Sequence, residues 1–367
     1  MKKQVEKLLS LADVKINGSR SWDIQIHNKN FYKRVLSGGS LALGESYIDG
    51  WWDCERLDEF FTKILAAKLD KKVISPKFIL STLQASLFNL QSRSRARIAG
   101  KHYDIGNNLY RYMLDKRMNY SCAYWIGVDN LDQAQEKKLD MICKKMRLKK
   151  GMKVIDIGCG WGAFGKYAAE KYNVESTGIT ISKEQAKLAK ELCKGLPVEI
   201  KLMDYRDLNE KFDAAVSVGM VEHVGYKNYR EYFKKVYDLL PEEGIFLLHT
   251  IGKPVSGHAT DLFISKHIFQ NSMLPSLKQL TKAAEGLFVI EDIHNFGINY
   301  DRTLMEWHKN FNKNWSKISK DYDERFFRMW NYYLLCCAAS FRVRKNQVWQ
   351  IVLSKGGIKK GYERPKI

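Results

Sequence analysis

The residues of this sequence that are most suited to chemistry begin with a short glycine-rich segment. The apolar run KVIDI (153–157) passes directly into GCGWG (158–162), and a helical pattern follows. Glycines at a strand-to-helix turn permit tight backbone conformations and let a ligand approach the chain, while the following helix presents its N-terminal amides. The segment therefore predicts a binding site for a nucleotide-type cofactor.

Two cofactor classes are compatible with this segment. Gly160, Gly162 and Gly165 satisfy the dinucleotide pattern GxGxxG, which expects an acidic residue at the end of the second strand, about 20 residues further on. That strand ends in GITIS (178–182) without a carboxylate, whereas Asp156 precedes the glycines. An acid placed before the glycines is typical of S-adenosylmethionine loops. The loop alone favours S-adenosylmethionine and leaves NAD as the alternative.

Alternating apolar runs and helical patterns after residue 150 supply the elements that would position this segment. Seven apolar runs lie at 153–157, 174–179, 198–203, 213–218, 244–251, 289–296 and 347–356. Helical patterns between them lie at 161–172, 182–194, 228–240 and about 301–342. Strands that alternate with helices in this way predict a parallel sheet covered by helices on both faces.

Residues 1–95 predict a small, mostly helical domain, which precedes a larger domain at 96–367. LDEFFTKILAAKL (57–69) and FILSTLQASLFNL (78–90) have apolar residues at helical spacing, and basic residues are concentrated at 93–101. An amphipathic helix with a basic flank suits an anionic lipid surface. The alternative is a helix that packs on the larger domain, with its flanking arginines simply solvated.

The net charge is strongly positive. The chain has 61 lysines and arginines against 41 aspartates and glutamates, a formal charge of +20 at pH 7. Such an excess favours a polyanionic partner, either nucleic acid or an anionic membrane surface, although a lysine-rich solvated surface would give the same count. No single arm or tail carries the charge, which argues against a dedicated nucleic-acid-binding appendage.

We expect neither a membrane-spanning segment nor a secretion signal. No run of roughly 18 apolar residues occurs, and Glu6, Lys7 and Asp13 interrupt the apolar stretch behind the basic start of the chain. The seven cysteines form no CxxC pair, and Cys336 is adjacent to Cys337. This pattern is typical neither of a disulfide framework nor of a zinc site, so we expect a reducing cytosol and no metal.

Several longer segments occur together in the order and spacing of one enzyme family. They are HYDIGNNLYRYMLD (102–115), YSCAYW (120–125), VIDIGCGWG (154–162), GITIS (178–182), DYRDL (204–208), VGMVEHVG (218–225), FLLHTIG (246–252), NFGINYDRTLMEW (295–307) and YYLLCCAASFR (332–342). Together they resemble the cyclopropane-fatty-acid synthases, a family that includes the mycolic acid cyclopropane synthases. GESYIDGWWD (44–53) and LFNLQS (87–92) resemble the small N-terminal domain of bacterial members.

The resemblance implies a fold and an activity. The fold is α/β, a Rossmann-like class I S-adenosylmethionine-dependent methyltransferase with a seven-stranded sheet, preceded by the small helical domain. The activity is transfer of a methylene from S-adenosylmethionine to the cis double bond of unsaturated acyl chains in membrane phospholipids. A carbocation, deprotonated by an enzyme-bound bicarbonate, then closes to a cyclopropane ring. The family also implies a homodimer. From the cysteines and the basic charge we expect a cytoplasmic protein, peripherally associated with the inner face of the membrane, that favours anionic head groups and binds no nucleic acid.

The resemblance also carries site residues over to this chain. Those expected to contact S-adenosylmethionine are Tyr103, Tyr120, Ser121, Gly158, Gly160, Gly162, Thr180, Ile181, Gln185, Tyr205 and Arg206. Those that match a bicarbonate site are Cys122, Glu222, His249, Ile251 and Tyr300. Cys337 matches a family cysteine on a late helix that lines or backs the pocket. In this family a Thr-Ile-Ser run replaces the acid of the second strand.

This chemistry needs a base and a site without water. An alkene has no acidic proton to lose before it reacts, and methyl transfer to one of its carbons leaves positive charge on the other. A base must then remove a proton from the new methyl group, in a pocket that stabilises the cation and excludes water. From the residues alone, Glu222 could instead be an ordinary helix start, and His249 and Tyr300 could be core side chains.

Two further functions remain as alternatives. A sister methyltransferase on the same scaffold would give a methyl-branched or unsaturated methylene product, because the cation would lose a different proton. A nucleic-acid-binding or RNA-methylating protein is suggested by the net charge. It would need a basic cleft with stacking aromatic residues, and it gives no reason for YSCAYW (120–125) or for MVEHVG (220–225).

Overall fold

The computed structural model describes residues 1–73, 75–93 and 105–366. Within these ranges the chain divides into two units that are each discontinuous in sequence. The first unit contains Met1–Asn89, His258–Asn271 and Tyr300–Asn346, and the second contains Leu90–Gly257, Ser272–Asn299 and Gln347–Ile367. The glycine-rich segment belongs to the second unit.

The elements follow one another along the described residues. The helices are α1 (Lys2–Ser10), α2 (Phe31–Ile48), α3 (Leu57–Ala66), α4 (Pro76–Leu87), α5 (Asn107–Met113), α6 (Leu131–Lys145), α7 (Ala163–Tyr172), α8 (Lys183–Leu192), α9 (Tyr229–Leu239), α10 (Leu277–Ala284), α11 (Ile298–Lys313), α12 (Trp315–Ile318) and α13 (Glu324–Arg342). The strands are β1 (Gln25–Ile26), β2 (Trp52–Asp53), β3 (Lys153–Ile157), β4 (Glu175–Thr180), β5 (Val198–Leu202), β6 (Ala214–Val218), β7 (Ile245–Gly252), β8 (Phe288–Asn295) and β9 (Gln347–Lys355).

A seven-stranded sheet forms the centre of the second unit, in the order β5-β4-β3-β6-β7-β9-β8. The first five strands of that order pair in parallel, and β9 runs antiparallel between β7 and β8. The order reverses at β3, because β4 lies on one side of it and β6 on the other. In open α/β sheets ligands bind outside the carboxyl ends of the strands at such a reversal.

Both faces of this sheet are covered by helices. On one face, the strands pack against Tyr232, Phe233 and Val236 of α9. On the other, they pack against Leu139 and Ile142 of α6 and against aromatic residues of α7. Because both faces are buried, the strands read as continuous apolar runs in the sequence, and this is what made them recognisable. All seven predicted strands are confirmed within one residue at either end.

The helical pattern predicted at about 301–342 divides into three helices. The last of them, α13, begins after Asp323, whose side chain accepts a hydrogen bond from the Phe326 amide at 2.8 Å. The first backbone amides of a helix have no hydrogen-bond partner within it, and an N-cap side chain supplies one. This cap therefore marks the start of a separate helix. In the same way α4 begins at Pro76, two residues before the predicted start, because Ser75 caps it and proline is favoured at the first helical position.

The first unit includes segments that the sequence placed in the larger domain. Helix α13 lies against α2 and α3. The Tyr332 ring lies 4.8 Å from that of Phe61 and 4.4 Å from that of Phe263, and Arg342 pairs with Asp58 at 2.9 Å. Residues 258–271 and 300–346 therefore group with the N-terminal helices, although they lie far from them in sequence. The predicted boundary at 95/96 lies outside the described residues, so the division of roles between 1–95 and 96–367 stays a prediction.

The helices of the described residues include none with the length and apolar character needed to cross a bilayer.

Replacement of Gly178 tests the close approach between β4 and the glycine-rich segment. A Cβ at this position would lie 2.9 Å from the Cys159 Sγ and 3.0 Å from the Ile200 Cδ1. We expect Gly178→Ala to lower the free energy of unfolding by about 1–3 kcal/mol through overpacking, as measured by urea unfolding followed by circular dichroism. Gly257→Ala, whose Cβ would meet only the flexible end of Lys253, should change it by less than about 0.5 kcal/mol. Equal effects would contradict the overpacking explanation.

Candidate active site

A cleft in the second unit brings most of the predicted cofactor residues together. Its walls are formed by residues that end or follow β3, β4, β5 and β6, at the reversal of strand order. The predicted residues that line it are Tyr120, Ser121, Gly158, Gly160, Thr180, Ile181, Gln185, Tyr205 and Arg206. Gly162 does not line it but precedes α7 as its N-cap, with φ of +81°. Tyr103 lies outside the described residues.

The glycine-rich segment is fixed to the neighbouring strand. The amides of Gly158 and Cys159 donate to the Ile179 carbonyl at 3.0 and 2.9 Å. Gly158 has φ of +87°, and a Cβ there would lie 2.7 Å from the Met220 Cγ, so only glycine suits this position. The backbone of the segment therefore forms part of the cleft wall, where it can approach a ligand closely.

The end of β4 presents a hydroxyl and an amide where a dinucleotide site would have an acid. Thr180 Oγ1 donates to Gln185 Oε1 at 2.8 Å, and Ser182 caps α8 by accepting from the Gln185 amide at 3.1 Å. The side chains of Thr180 and Gln185 are thereby held in one orientation. Their neighbour Ile181 leaves part of its side chain exposed. This wall fits a ribose, whose hydroxyls require hydrogen-bonding groups but no charge.

An aromatic wall lies beyond β5. Tyr205 is buried, and the Arg206 guanidinium lies 4.8 Å from the centre of its ring. Arg206 is held in turn by Asp204 at 2.9 Å and by the Gln91 carbonyl at 3.4 Å. Burial raises the pKa of the Tyr205 phenol well above its ordinary value, so it is neutral. The flat, neutral ring of Tyr205, with a guanidinium beside it, fits an adenine ring.

A buried polar cluster closes the other end of the cleft. Lys138 Nζ donates to Asn119 Oδ1 at 3.0 Å and to Ser121 Oγ at 2.9 Å, and Asn119 donates from its backbone and side chain to Asp115. Burial raises the pKa of Asp156 to about 7 and lowers that of Lys138 to about 8. Sequence reasoning missed Lys138, because it stands among other lysines in QEKKLD (135–140) and nothing in that pattern marks it as buried.

Glu222 and Ile251, which were predicted to share a site, are in direct contact. Glu222 lies in a short turn after β6 and is buried. Its Oε1 accepts a hydrogen bond from the Ile251 amide at 2.8 Å, and its Oε2 has no hydrogen-bond partner among the described residues. Burial raises the pKa of this carboxyl to about 7, against the opposing effect of the bond from Ile251. Glu222 can therefore both hold and release a proton near neutral pH.

His249 lies two residues before Ile251 on β7, so the two side chains share a face of the strand. Its Nδ1 lies 3.3 Å from Gln350 Nε2, and burial holds its pKa well below the ordinary value, so the ring is neutral. Cys122 is fully buried, and its thiol donates to the Ala123 carbonyl at 3.3 Å. Both residues lie in the second unit with Glu222.

Two predicted residues belong to the first unit. Tyr300 is buried, with its ring 4.7 Å from that of Phe341 and 5.8 Å from that of Trp307. Cys337 is half-buried on α13, beside Cys336. Their roles at the site stay predictions. Among the described residues no cluster of three or more His, Cys, Asp or Glu side chains could hold a metal ion.

Sequence comparison finds close relatives over most of the chain. Residues 90–351 match the family described as mycolic acid cyclopropane synthetase. The chain is also 54% identical to the cyclopropane-fatty-acyl-phospholipid synthase of Escherichia coli strain K12. The alignment spans 354 residues and covers 95% of this chain and 92% of that protein.

Two solved structures share the fold. The cyclopropane synthase MmaA2 from Mycobacterium tuberculosis is 30% identical with a TM-score of 0.68, and covers 71% of this chain and 98% of its own. The mycolic acid cyclopropane synthase CmaA1, solved in complex with SAH and CTAB, is 31% identical with a TM-score of 0.67 and the same coverage. These similarities confirm the predicted class I methyltransferase fold. Since the family match spans most of the sequence, the chain belongs to the mycolic acid cyclopropane synthetase family.

Proposed function

We propose that this protein transfers a methylene group from S-adenosylmethionine to the cis double bond of unsaturated acyl chains in membrane phospholipids, forming a cyclopropane ring. The observation that carries the proposal is the buried Glu222 carboxyl, whose neighbours Met220 and His223 line the cleft with nine of the expected cofactor residues. Family membership and the 54% identity to the Escherichia coli synthase support it.

The residues of the cleft have distinct roles in this proposal. S-adenosylmethionine supplies an electrophilic methyl group when it is bound. Thr180 and Gln185 hold the ribose, Tyr205 and Arg206 flank the adenine, and the segment that carries Tyr120 and Ser121 closes over the methionine end. The hydrogen bond that Thr180 donates to Gln185 fixes these side chains before the ligand arrives, so less conformational entropy is lost on binding.

Glu222 provides the proton chemistry. During the reaction the carbon–sulfur bond, the π bond of the alkene and one carbon–hydrogen bond of the transferred methyl group break, two carbon–carbon bonds form, and the proton passes to the base. With a pKa of about 7, the protonated carboxyl can donate a hydrogen bond to a small anion, and that anion accepts the proton that leaves the methyl group. The proposed anion is bicarbonate, held by Glu222 and the Ile251 amide, with His249, Cys122 and Tyr300 as the further residues of the site. The raised pKa matters because two fixed negative charges side by side would repel each other.

The exposed face of α4 is the proposed membrane contact. Its exposed apolar residues are Ile79, Leu80, Leu83 and Leu87, with Phe88 directly after the helix. Residues 71–103 contain seven basic and no acidic residues, so the sequence around the helix suits anionic head groups. A homodimer on the cytoplasmic face of the membrane completes the proposal and stays a prediction.

The activity itself is tested with purified protein, methyl-labelled S-adenosylmethionine and vesicles of unsaturated phospholipid. We expect the labelled fatty acids to gain one CH2 by mass spectrometry and to lose their reactivity as alkenes, because the double bond becomes a ring. A labelled product that keeps a double bond, or is methyl-branched, would instead indicate a sister methyltransferase. Label found only in added RNA would contradict the proposal.

Glu222→Gln tests the proton chemistry. Glutamine keeps the size of the side chain and an oxygen for the Ile251 amide, but it cannot exchange a proton. We expect turnover to fall by at least about 100-fold, while the dissociation constant for S-adenosylmethionine, measured by calorimetry, changes by less than about threefold. Glu175→Gln, on an exposed residue at the start of β4, is the control and should leave both quantities unchanged. Normal turnover in Glu222→Gln would remove the proposed role.

The membrane contact is tested by making the α4 face polar. Leu83 and Leu87 are 54% and 73% exposed, so their replacement by glutamine removes apolar surface without emptying a core. We expect the double variant to bind anionic phospholipid vesicles at least about tenfold more weakly in sedimentation assays, which corresponds to about 1.4 kcal/mol. Leu11→Gln, at a similarly exposed position of 56%, should bind like the parent. If both proteins bind vesicles equally well, another surface makes the contact.

A further inference from the structure

Lys138 is a buried ammonium group that has no ion-pair partner among the residues that the structure describes. It is 1% exposed and lines the cleft from helix α6. Two of its three hydrogens are used by Asn119 Oδ1 and Ser121 Oγ, both of which are uncharged. Among the described residues no carboxylate forms an ion pair with it, and its third hydrogen has no protein acceptor. Burial of an unpaired positive charge is unfavourable in free energy unless an anion binds beside it.

Several other ionisable groups surround Lys138 without pairing with it. Asp115, which follows α5, and Asp156 on β3 raise its pKa through space, as does Cys122, while burial lowers it more strongly, to about 8. Burial also raises the pKa of each of the two aspartates. Because each aspartate has a reduced tendency to ionise, the two together only partly neutralise the positive charge of Lys138. Burial lowers the pKa of His249 on β7, and the positive charges of Lys138 and Lys145 lower it further.

We propose that Lys138 is a binding residue for a small carboxylate-type anion in this cleft, through its unused hydrogen. The inference deepens the proposed function and rests on S-adenosylmethionine as the cofactor. The anion that the geometry favours is the carboxylate of the methionine part of S-adenosylmethionine. Lys138 donates to Ser121, which lies in the segment expected to close over the methionine end of the cofactor. Bicarbonate has the same chemistry and is the second source. The charge-assisted hydrogen bond would offset the burial of the ammonium group.

The geometry also explains why a lysine stands at this position. A side chain on α6 must cross the core to reach the cleft, and the flexible four-carbon stem of lysine can do so while its head stays polar. Gln135, one turn earlier on the same helix, donates from Nε2 to the Ser121 carbonyl at 2.9 Å. Helix α6 thus forms hydrogen bonds with both the backbone and the side chain of Ser121. These bonds hold the Lys138 ammonium group in one orientation. Glutamine at 138 would keep a polar group in the core, but it is one atom shorter than lysine and carries no charge.

The experiment compares S-adenosylmethionine with decarboxylated S-adenosylmethionine, which lacks only the carboxylate. Dissociation constants are measured by calorimetry for the full-length protein and for Lys138→Met, Lys138→Gln and the control Lys144→Met. Lys144 lies on the same helix, is 44% exposed and pairs with Asp140. We expect the parent to bind the decarboxylated ligand at least about tenfold more weakly, and both Lys138 variants to bind the two ligands within about threefold of each other. Lys144→Met should behave as the parent.

A second measurement identifies the source of the anion. If the parent binds both ligands equally and the Lys138 variants instead need about tenfold more bicarbonate for half-maximal turnover, bicarbonate is the anion and the inference holds. If neither quantity differs from that of Lys144→Met, or if both ligands weaken equally in the variants, the inference is overturned. Should neither Lys138 variant fold, as judged by circular dichroism, the parent protein is measured alone: equal affinity for the two ligands together with turnover that does not depend on bicarbonate would overturn the inference.

Failure of this inference is distinguishable from failure of the proposed function. A parent protein with no affinity for S-adenosylmethionine would overturn the proposed function itself. A parent that binds S-adenosylmethionine and turns over, with Lys138 variants that match the control, would overturn only the role of Lys138.

Discussion

The burial of ionisable side chains at the carboxyl ends of the central strands is the constraint on which the rest of the site depends. Glu222 is held by one backbone amide of β7, and its second oxygen has no partner among the described residues. In water this carboxyl would be ionised at neutral pH and would not readily carry a proton. Removal from water brings its pKa to about 7, close to the pH at which a proton must be moved.

Burial acts in the same way on another acid, on the neighbouring strand β3, and on a base, on helix α6. Asp156 on β3 and Lys138 on α6 also have pKa values near neutrality, for the same reason of burial. Asp156 and Lys138 both line the cleft, which therefore contains an acid that can be neutral and a base that can be neutral, whereas the whole chain carries a formal charge of +20. A site for a cationic cofactor benefits from this local difference in charge, since a uniformly positive cleft would repel the sulfonium group.

The first unit has an exposed apolar surface on helix α4. Its N-terminal helices and the segments 258–271 and 300–346 bury aromatic side chains against one another, while α4 leaves a row of leucine and isoleucine side chains in solvent. An exposed apolar row on one helix face is unfavourable in water and marks a contact surface. Since the proposed substrate is a membrane lipid, this row and the basic sequence around it are consistent with a protein that reaches lipid from the water side.

The sequence by itself determined the sheet, the cofactor loop and the family, because these depend on local patterns. The strands at 153–157 and 245–252 were recognisable as apolar runs, and the glycines at 158–162 mark a turn whose backbone only glycine readily adopts. Only the tertiary structure decided that residues 300–346 group with the N-terminal helices, and that Lys138 rather than a neighbouring lysine lies in the cleft. Burial and pKa depend on which distant residues surround a side chain, and no local pattern contains that information.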